Sequence, residues 1–252
     1  MQLKGKTALI AGAGRNCGKT IALTFAREGA DLILVARSGD EVKQVAKECE
    51  ALGVQALPVA ADLGKHDEIN RVVKLGLERF GKVDVPVSVA ALRPHRNFWD
   101  YGYDEWQQVF AVNLHATFSL AKALAPGMMQ RKSGSIIALG GMASLTAFPI
   151  AALTVATKHS LYGLIKSLAL ELGPYGVRAN LIAVGSIGVD RRNPEWYPPG
   201  QNPHLSDAEH ANTPLRRGGT TQEIANVALF LASDRSSYVT GDRIICAGGK
   251  YM

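Results

Sequence analysis

Short apolar runs alternate with longer amphipathic segments along this chain, and that alternation limits the possible folds more than any other feature. TALIAG precedes a helical pattern near Gly18 to Gly29, DLILVA one near Asp40 to Gly53, and QALPVA one over Lys65 to Phe80. Strands that are apolar on both faces belong in a parallel sheet covered by helices on each side. The pattern continues through VDVPVSVA, a long helix from about Asn113 to Met129, SIIALG, a helix from about Ala152 to Leu172, VRANLIAV, a helix from about Thr221 to Leu231, and DRIICA. It predicts one α/β domain over residues 1–252, a doubly wound parallel sheet of about seven strands flanked by helices. Right-handed crossovers bring the strand C-termini to one edge, so ligand chemistry is expected there. The Pro-, Asn-, Gly- and His-rich stretch after Val184, approximately 186–213, is too long and polar for a tight connection and reads as a substrate lid.

Composition narrows the function classes. The net charge is +6, but Lys and Arg are scattered without a dense basic run interleaved with aromatics, which argues against a nucleic-acid partner and for a basic pocket around an anionic ligand. Cys17, Cys49 and Cys246 are odd in number and far apart, in neither metal-ligand nor disulfide spacing, so no metal is expected and all three read as buried small hydrophobes. The first strand begins almost at Met1 with no leader pattern before it, and no apolar run approaches a membrane span, so a cytoplasmic protein with no membrane partner is expected.

The segment AGAGRNCGKTIA joins the first strand to the first helix. Glycines at such a turn let the backbone approach a diphosphate, whose charge sits at the helix N-terminus. In position and spacing the turn resembles that of the short-chain dehydrogenase/reductase family, whose members have a Rossmann-type fold. Gly12 and Gly18 match the first and last glycines of the family pattern, Asn16 replaces the middle one, and Gly14 and Arg15 lie between. Asn tolerates positive φ better than most residues, so the turn can survive the exchange. Strand two ends Val35-Ala36-Arg37, where dinucleotide folds selective for NAD place an acid; Arg37 with Arg15 suits a 2′-phosphate, so NADP(H) is favoured over NAD(H). The alternative is two surface arginines. The resemblance further implies that Asp62, followed by Leu63, lies near the adenine ring, with a simple helix N-cap as the other reading, and that Ala90 persists from the family's Asn-Asn-Ala-Gly run after strand four.

The family resemblance also implies a tetrad: a Tyr acid/base four residues before a Lys that lowers its pKa, a Ser that bonds the substrate oxygen, and an Asn that supports the Lys. Lys158 and Asn113 match, and the resemblance implies that Lys158 also contacts the cofactor. Thr154 stands at the Tyr position and Gly141 at the Ser position, and a Thr hydroxyl has no phenol-like acidity. Val184-Gly185 and Val189 stand where the family has Pro-Gly and a Thr holding the nicotinamide amide. Ser144 and, less favourably, Tyr162 are candidate substitutes, the latter fitting a packing role better. The loop ALRPHRNF after strand four is expected at the substrate cleft: His95 suits acid/base work, and Arg93 and Arg96, with Arg191 and Arg192 in the lid, suit a carboxylate or phosphate. The bland alternative is a solvated loop. Trp99, Trp106 and Trp196 read as packing or lid anchors.

Three functions stay open at this point. The first is an NADP(H)-dependent oxidoreductase acting on a small, anionic carbonyl or alcohol substrate with a rebuilt proton path. The second is a non-redox lyase, isomerase or cyclase on the same scaffold, and the third a ligand-binding protein without catalysis. The resemblance implies a homotetramer or homodimer that pairs the two long helices.

Overall fold

A computed structural model of the chain describes residues 1–189, 196 and 210–250. Seven parallel strands form one sheet in the order β3-β2-β1-β4-β5-β6-β7. They are β1 (Thr7–Ala11), β2 (Asp31–Ala36), β3 (Ala56–Ala60), β4 (Val85–Ser88), β5 (Gly134–Leu139), β6 (Val177–Val184) and β7 (Arg243–Cys246). The order reverses between β1 and β4, which pair directly from Ala8 opposite Val85 to Ala11 opposite Ser88. The crevice of a doubly wound sheet opens at such a reversal.

Helices α1 (Asn16–Arg27), α2 (Gly39–Glu50), α3 (His66–Phe80), α4 (Tyr103–Phe110), α5 (Ala116–Arg131), α6 (Ala152–Leu172) and α7 (Thr221–Ala232) cover the two faces. Two apolar clusters result. One packs α1, α2 and α7 on one face through Ile21, Phe25, Val45 and Ile224. The other packs α3, α5 and α6 on the opposite face through Val72, Leu120, Leu161 and Ile165. Nearly every β1 and β2 side chain is buried, consistent with strands apolar on both faces. Among the described residues, no helix is long and apolar enough to cross a membrane.

The fifth helical segment differs from its expected start at Asn113. α4 begins at Tyr103, and a single π-helical turn over Ala111–His115 connects it to α5. Asp104 and Glu105 in the first turn of α4 complement its positive end, and Trp106 stacks on Phe110 with ring centroids 5.2 Å apart, which accounts for the extra helix. Cys17 and Cys49 are buried, whereas Cys246 is only half-buried on the outer strand, correcting the expectation for that thiol. Of the expected lid, residues 190–195 and 197–209 lie outside the described residues.

Candidate active site

The C-terminal sheet edge opens into a cavity of about 500 Å³. The turn after β1 and the end of β2 wall one end of it with Gly12, Arg15, Asn16, Cys17 and Arg37. The loops after β4 and β5 and the start of α6 wall the other with Arg93, His95, Gly141, Thr154 and Lys158. Five basic residues line the cavity, Lys250 being the fifth beside Arg15, Arg37, Arg93 and Lys158, and among the described residues no Asp or Glu lines it.

The glycine turn is sterically committed. Gly12 has φ +107°, and a Cβ there would stand 2.6 Å from the Ala90 amide nitrogen, because the turn packs directly on the loop after β4. A Cβ on Gly18 would stand 1.8 Å from the Gly12 carbonyl oxygen. Asn16 opens α1 at φ 49°, the left-handed conformation its side chain tolerates. No side chain caps the N-terminus of α1, and its first turn carries no acid, so its positive end suits the diphosphate of a dinucleotide. Gly12, Arg15, Asn16, Arg37 and Ala90 would hold such a cofactor. Gly14 faces away instead, against Glu41 and Ala36. Asp62 and Leu63 are also off the cavity wall: Leu63 is core, and Asp62 accepts the Gly64 amide at 2.9 Å in a local turn, while Lys65 caps α3. The N-cap position of α3 is thus Lys65, not Asp62.

At the other end, Asn113 is buried in the π-turn and clamps the loop after β4. Its Oδ1 accepts the Leu92 amide at 2.8 Å, and its Nδ2 donates to the Leu92 carbonyl at 2.9 Å and to Thr157 Oγ1 at 3.1 Å. Its direct bonds thus go to Leu92, next to Arg93, and to Thr157, next to Lys158. A π-turn displaces one side chain from the helical ladder, which is what brings Asn113 to Leu92. Lys158, 4% exposed, donates Nζ–H to the Leu139 carbonyl at 2.7 Å. Burial, and secondarily the charge of Arg93, lower its ammonium pKa to about 7. Thr154, one turn before it and 6% exposed, lines the same cavity, and its buried hydroxyl has no hydrogen-bond partner among the described residues.

His95 Nδ1 lies 2.9 Å from the Arg93 carbonyl oxygen, and its backbone amide donates to the Trp196 carbonyl at 2.7 Å. A carbonyl only accepts, so Nδ1 carries the proton in this contact, leaving Nε2 as the other ring nitrogen. Arg96 does not share the cavity: its guanidinium pairs with Glu105 at 3.1 Å. Ser144 is likewise displaced, fully buried with Oγ donating to the Gly141 carbonyl at 2.7 Å, so it is no substitute for a substrate-facing serine. Tyr162 packs beneath the Arg243 guanidinium, 4.6 Å from its ring centroid, in keeping with a packing role. Arg191 and Arg192 lie outside the described residues. Cys17, Phe148 and Lys250 line the cavity without having been singled out from the sequence. Cys17 was recognisable from its place just before Gly18, but only the return of β7 beside β6 brings Lys250 there.

A family model described as enoyl-(acyl carrier protein) reductase matches residues 12–250. A 3-oxoacyl-[acyl-carrier-protein] reductase of Staphylococcus epidermidis is 35% identical over 248 residues, 98% of this chain and 99% of that one. The chain belongs to the short-chain dehydrogenase/reductase family. An L-rhamnose 1-dehydrogenase (NAD(P)(+)) of a Sphingomonas species is 33% identical over 99% of this chain and 98% of its own. Among solved structures, a 7α-hydroxysteroid dehydrogenase complexed with NADH and 7-oxo glycochenodeoxycholic acid superposes with TM-score 0.90 at 30% identity, over 99% of this chain and 95% of that chain. The backbone at Gly141, on the cavity wall, is tightly constrained. Its φ 83° and ψ 175° fall in a region that only glycine visits, so a side chain there would be strained although space for it exists.

Proposed function

We propose that this protein is an NADP(H)-dependent oxidoreductase acting on a small, negatively charged carbonyl or alcohol substrate. The observation that carries this reading is the cavity wall: cationic side chains at both ends and, among the described residues, no carboxylate. Two relatives whose names or contents include NAD(P)(+) or NADH support a dinucleotide in the glycine-turn end. Arg15 and Arg37 there favour the form with a 2′-phosphate, since a guanidinium matches phosphate geometry. The nicotinamide of such a cofactor supplies or accepts the hydride. The chain's own residues bind the charges, orient the substrate and move the proton. His95, through Nε2, is the proposed proton donor and acceptor, Asn113 holds its loop in register, and Lys158 and Thr154 face the substrate. Phe118 on α5 and Leu170 on α6 are exposed apolar residues, which favours pairing of these helices in a homodimer or homotetramer.

Titration with NADPH and NADH, followed by nicotinamide fluorescence, tests this reading. NADPH is expected to bind more tightly than NADH, and Arg37→Ala to weaken NADPH about tenfold while leaving NADH within about twofold. Binding of neither nucleotide would overturn the proposal. A second reading, a non-redox enzyme on this scaffold, is favoured by Thr154 and by the glycine-only backbone at Gly141; it requires turnover with no change in nicotinamide absorbance.

A further inference from the structure

We propose that the segment after β4, residues 93–101, is a strap along one side of the cavity, latched to the Ile150 carbonyl against backbone strain stored at Ile150. The inference goes beyond the oxidoreductase reading and does not rest on it, because it concerns entry to the cavity and not the chemistry inside.

Ile150 has φ 55°, in the left-handed region that a β-branched side chain disfavours more than most. Such a conformation persists only where its surroundings hold it. Two donors from the strap hold the Ile150 carbonyl: the Arg96 amide at 2.8 Å and the Tyr101 hydroxyl at 3.2 Å. The same hydroxyl lies 3.1 Å from the Pro94 carbonyl, so its one proton is shared between an acceptor on the strap and one on the facing loop. Ile150 belongs to the loop between β5 and α6, whose Phe148 and Ala151 line the cavity, as do Arg93 and His95 of the strap. The latch therefore joins two stretches of the cavity wall.

The strap has an anchored start and a loosely packed tip. Asn113 holds Leu92 through both its amide and its carbonyl, and Gly102, where a Cβ would meet nothing within 4 Å, precedes α4 at the other end. Between them Phe98 and Trp99 are 68% and 79% exposed, so little apolar packing resists movement of the tip. Arg96 pairs with Glu105 on α4, a tie on the strap's own side of the latch, and the His95 amide donates to the Trp196 carbonyl without involving Ile150. Releasing the Ile150 carbonyl lets that residue return to negative φ. Strain relief thus favours the open arrangement and the two hydrogen bonds favour the closed one, which makes the strap a two-state element.

Hydrogen–deuterium exchange of the whole protein, read by mass spectrometry on peptides covering residues 93–101, tests the strap. Tyr101→Phe removes the hydroxyl and is expected to speed exchange there about tenfold while peptides from β1 and β4 keep the parental rate. Ile150→Gly keeps the carbonyl and removes the strain, so exchange over the same residues should slow about fivefold. Opposite signs from the two variants are the signature of a strained latch. Unchanged exchange over 93–101 in Tyr101→Phe, or faster exchange spread equally over β1 and β4, overturns it. Should Tyr101→Phe fail to fold, Ile150→Gly decides alone: slower exchange supports the latch, and equal or faster exchange overturns it. No nucleotide enters the measurement, so its result stands whichever way the NADPH titration falls.

Discussion

The two ends of the cavity treat backbone and side chain in opposite ways. At the glycine-turn end the backbone is fixed by contact: Gly12 presses on Ala90, Gly18 on Gly12, and Asn16 takes a left-handed conformation. There, a left-handed backbone position is filled by a residue whose side chain tolerates it. At the reaction end Asn113 and Lys158 are buried, and the cavity is faced by Gly141 on glycine-only backbone and by Thr154, whose hydroxyl has no partner among the described residues. Binding a phosphate needs mainly amides and space, which many sequences provide. Moving a proton needs one group of suitable acidity at one place, so exchanging it changes the chemistry.

The largest effect expected at the first end comes from Gly18→Ala. Its Cβ would overlap a backbone oxygen that has no flexible side chain to yield, so the turn must open. NADPH affinity should fall at least about 100-fold in fluorescence titration, equivalent to about 2.7 kcal/mol or more. Near-parental affinity in this variant would mean that the turn does not hold the phosphates, and the contrast between the ends would collapse.

Gly141→Ser, at the reaction end, should destabilise the protein by about 1–3 kcal/mol through backbone strain alone. Chemical denaturation measures it. An unchanged midpoint would show that the loop relaxes readily, making the two ends more alike than their geometry suggests.

Lys158 sharpens the comparison through pH. Its pKa is lowered from 10.5 to about 7, first by burial and then by Arg93, so between those values the unfolded chain binds more protons than the folded one. Stability due to this group therefore rises with pH over that window. Relative to Lys158→Met, the parent should gain melting temperature as pH increases from about 7 to about 10, levelling above. A difference that does not vary with pH would remove the buried cation from the account.

The smallest effect belongs to Asn16→Gly. Because Asn already tolerates φ 49°, the change should alter stability by less than about 0.5 kcal/mol, whereas Asn16→Val should cost about 1–2 kcal/mol. Equal melting of the two variants would show that positive φ at this position is not under strain.

Much of this was legible in the chain itself. Alternating apolar runs and amphipathic segments carried the parallel sheet, because strands buried on both faces must be apolar at every position and the helices covering them on only one stripe. Gly12, Asn16 and Arg37 were readable because a tight turn and a strand end keep their spacing wherever this fold occurs. Arg96 and Ser144 were misjudged for one reason: spacing places a residue on a loop but does not orient its side chain. Glu105 on the unforeseen α4 captures Arg96, and the Gly141 carbonyl captures the Ser144 hydroxyl.

The sequence by itself determined the order and type of the elements, the phosphate-suited turn and the identities at positions 141 and 154, since these follow from local periodicity and fixed spacing. Tertiary structure alone decided which of the expected side chains meet. The Asn113 clamp, the orphaned Thr154 hydroxyl, the burial of Lys158 and the arrival of Lys250 each depend on segments far apart in the chain packing at one sheet edge, and no local pattern encodes those distances.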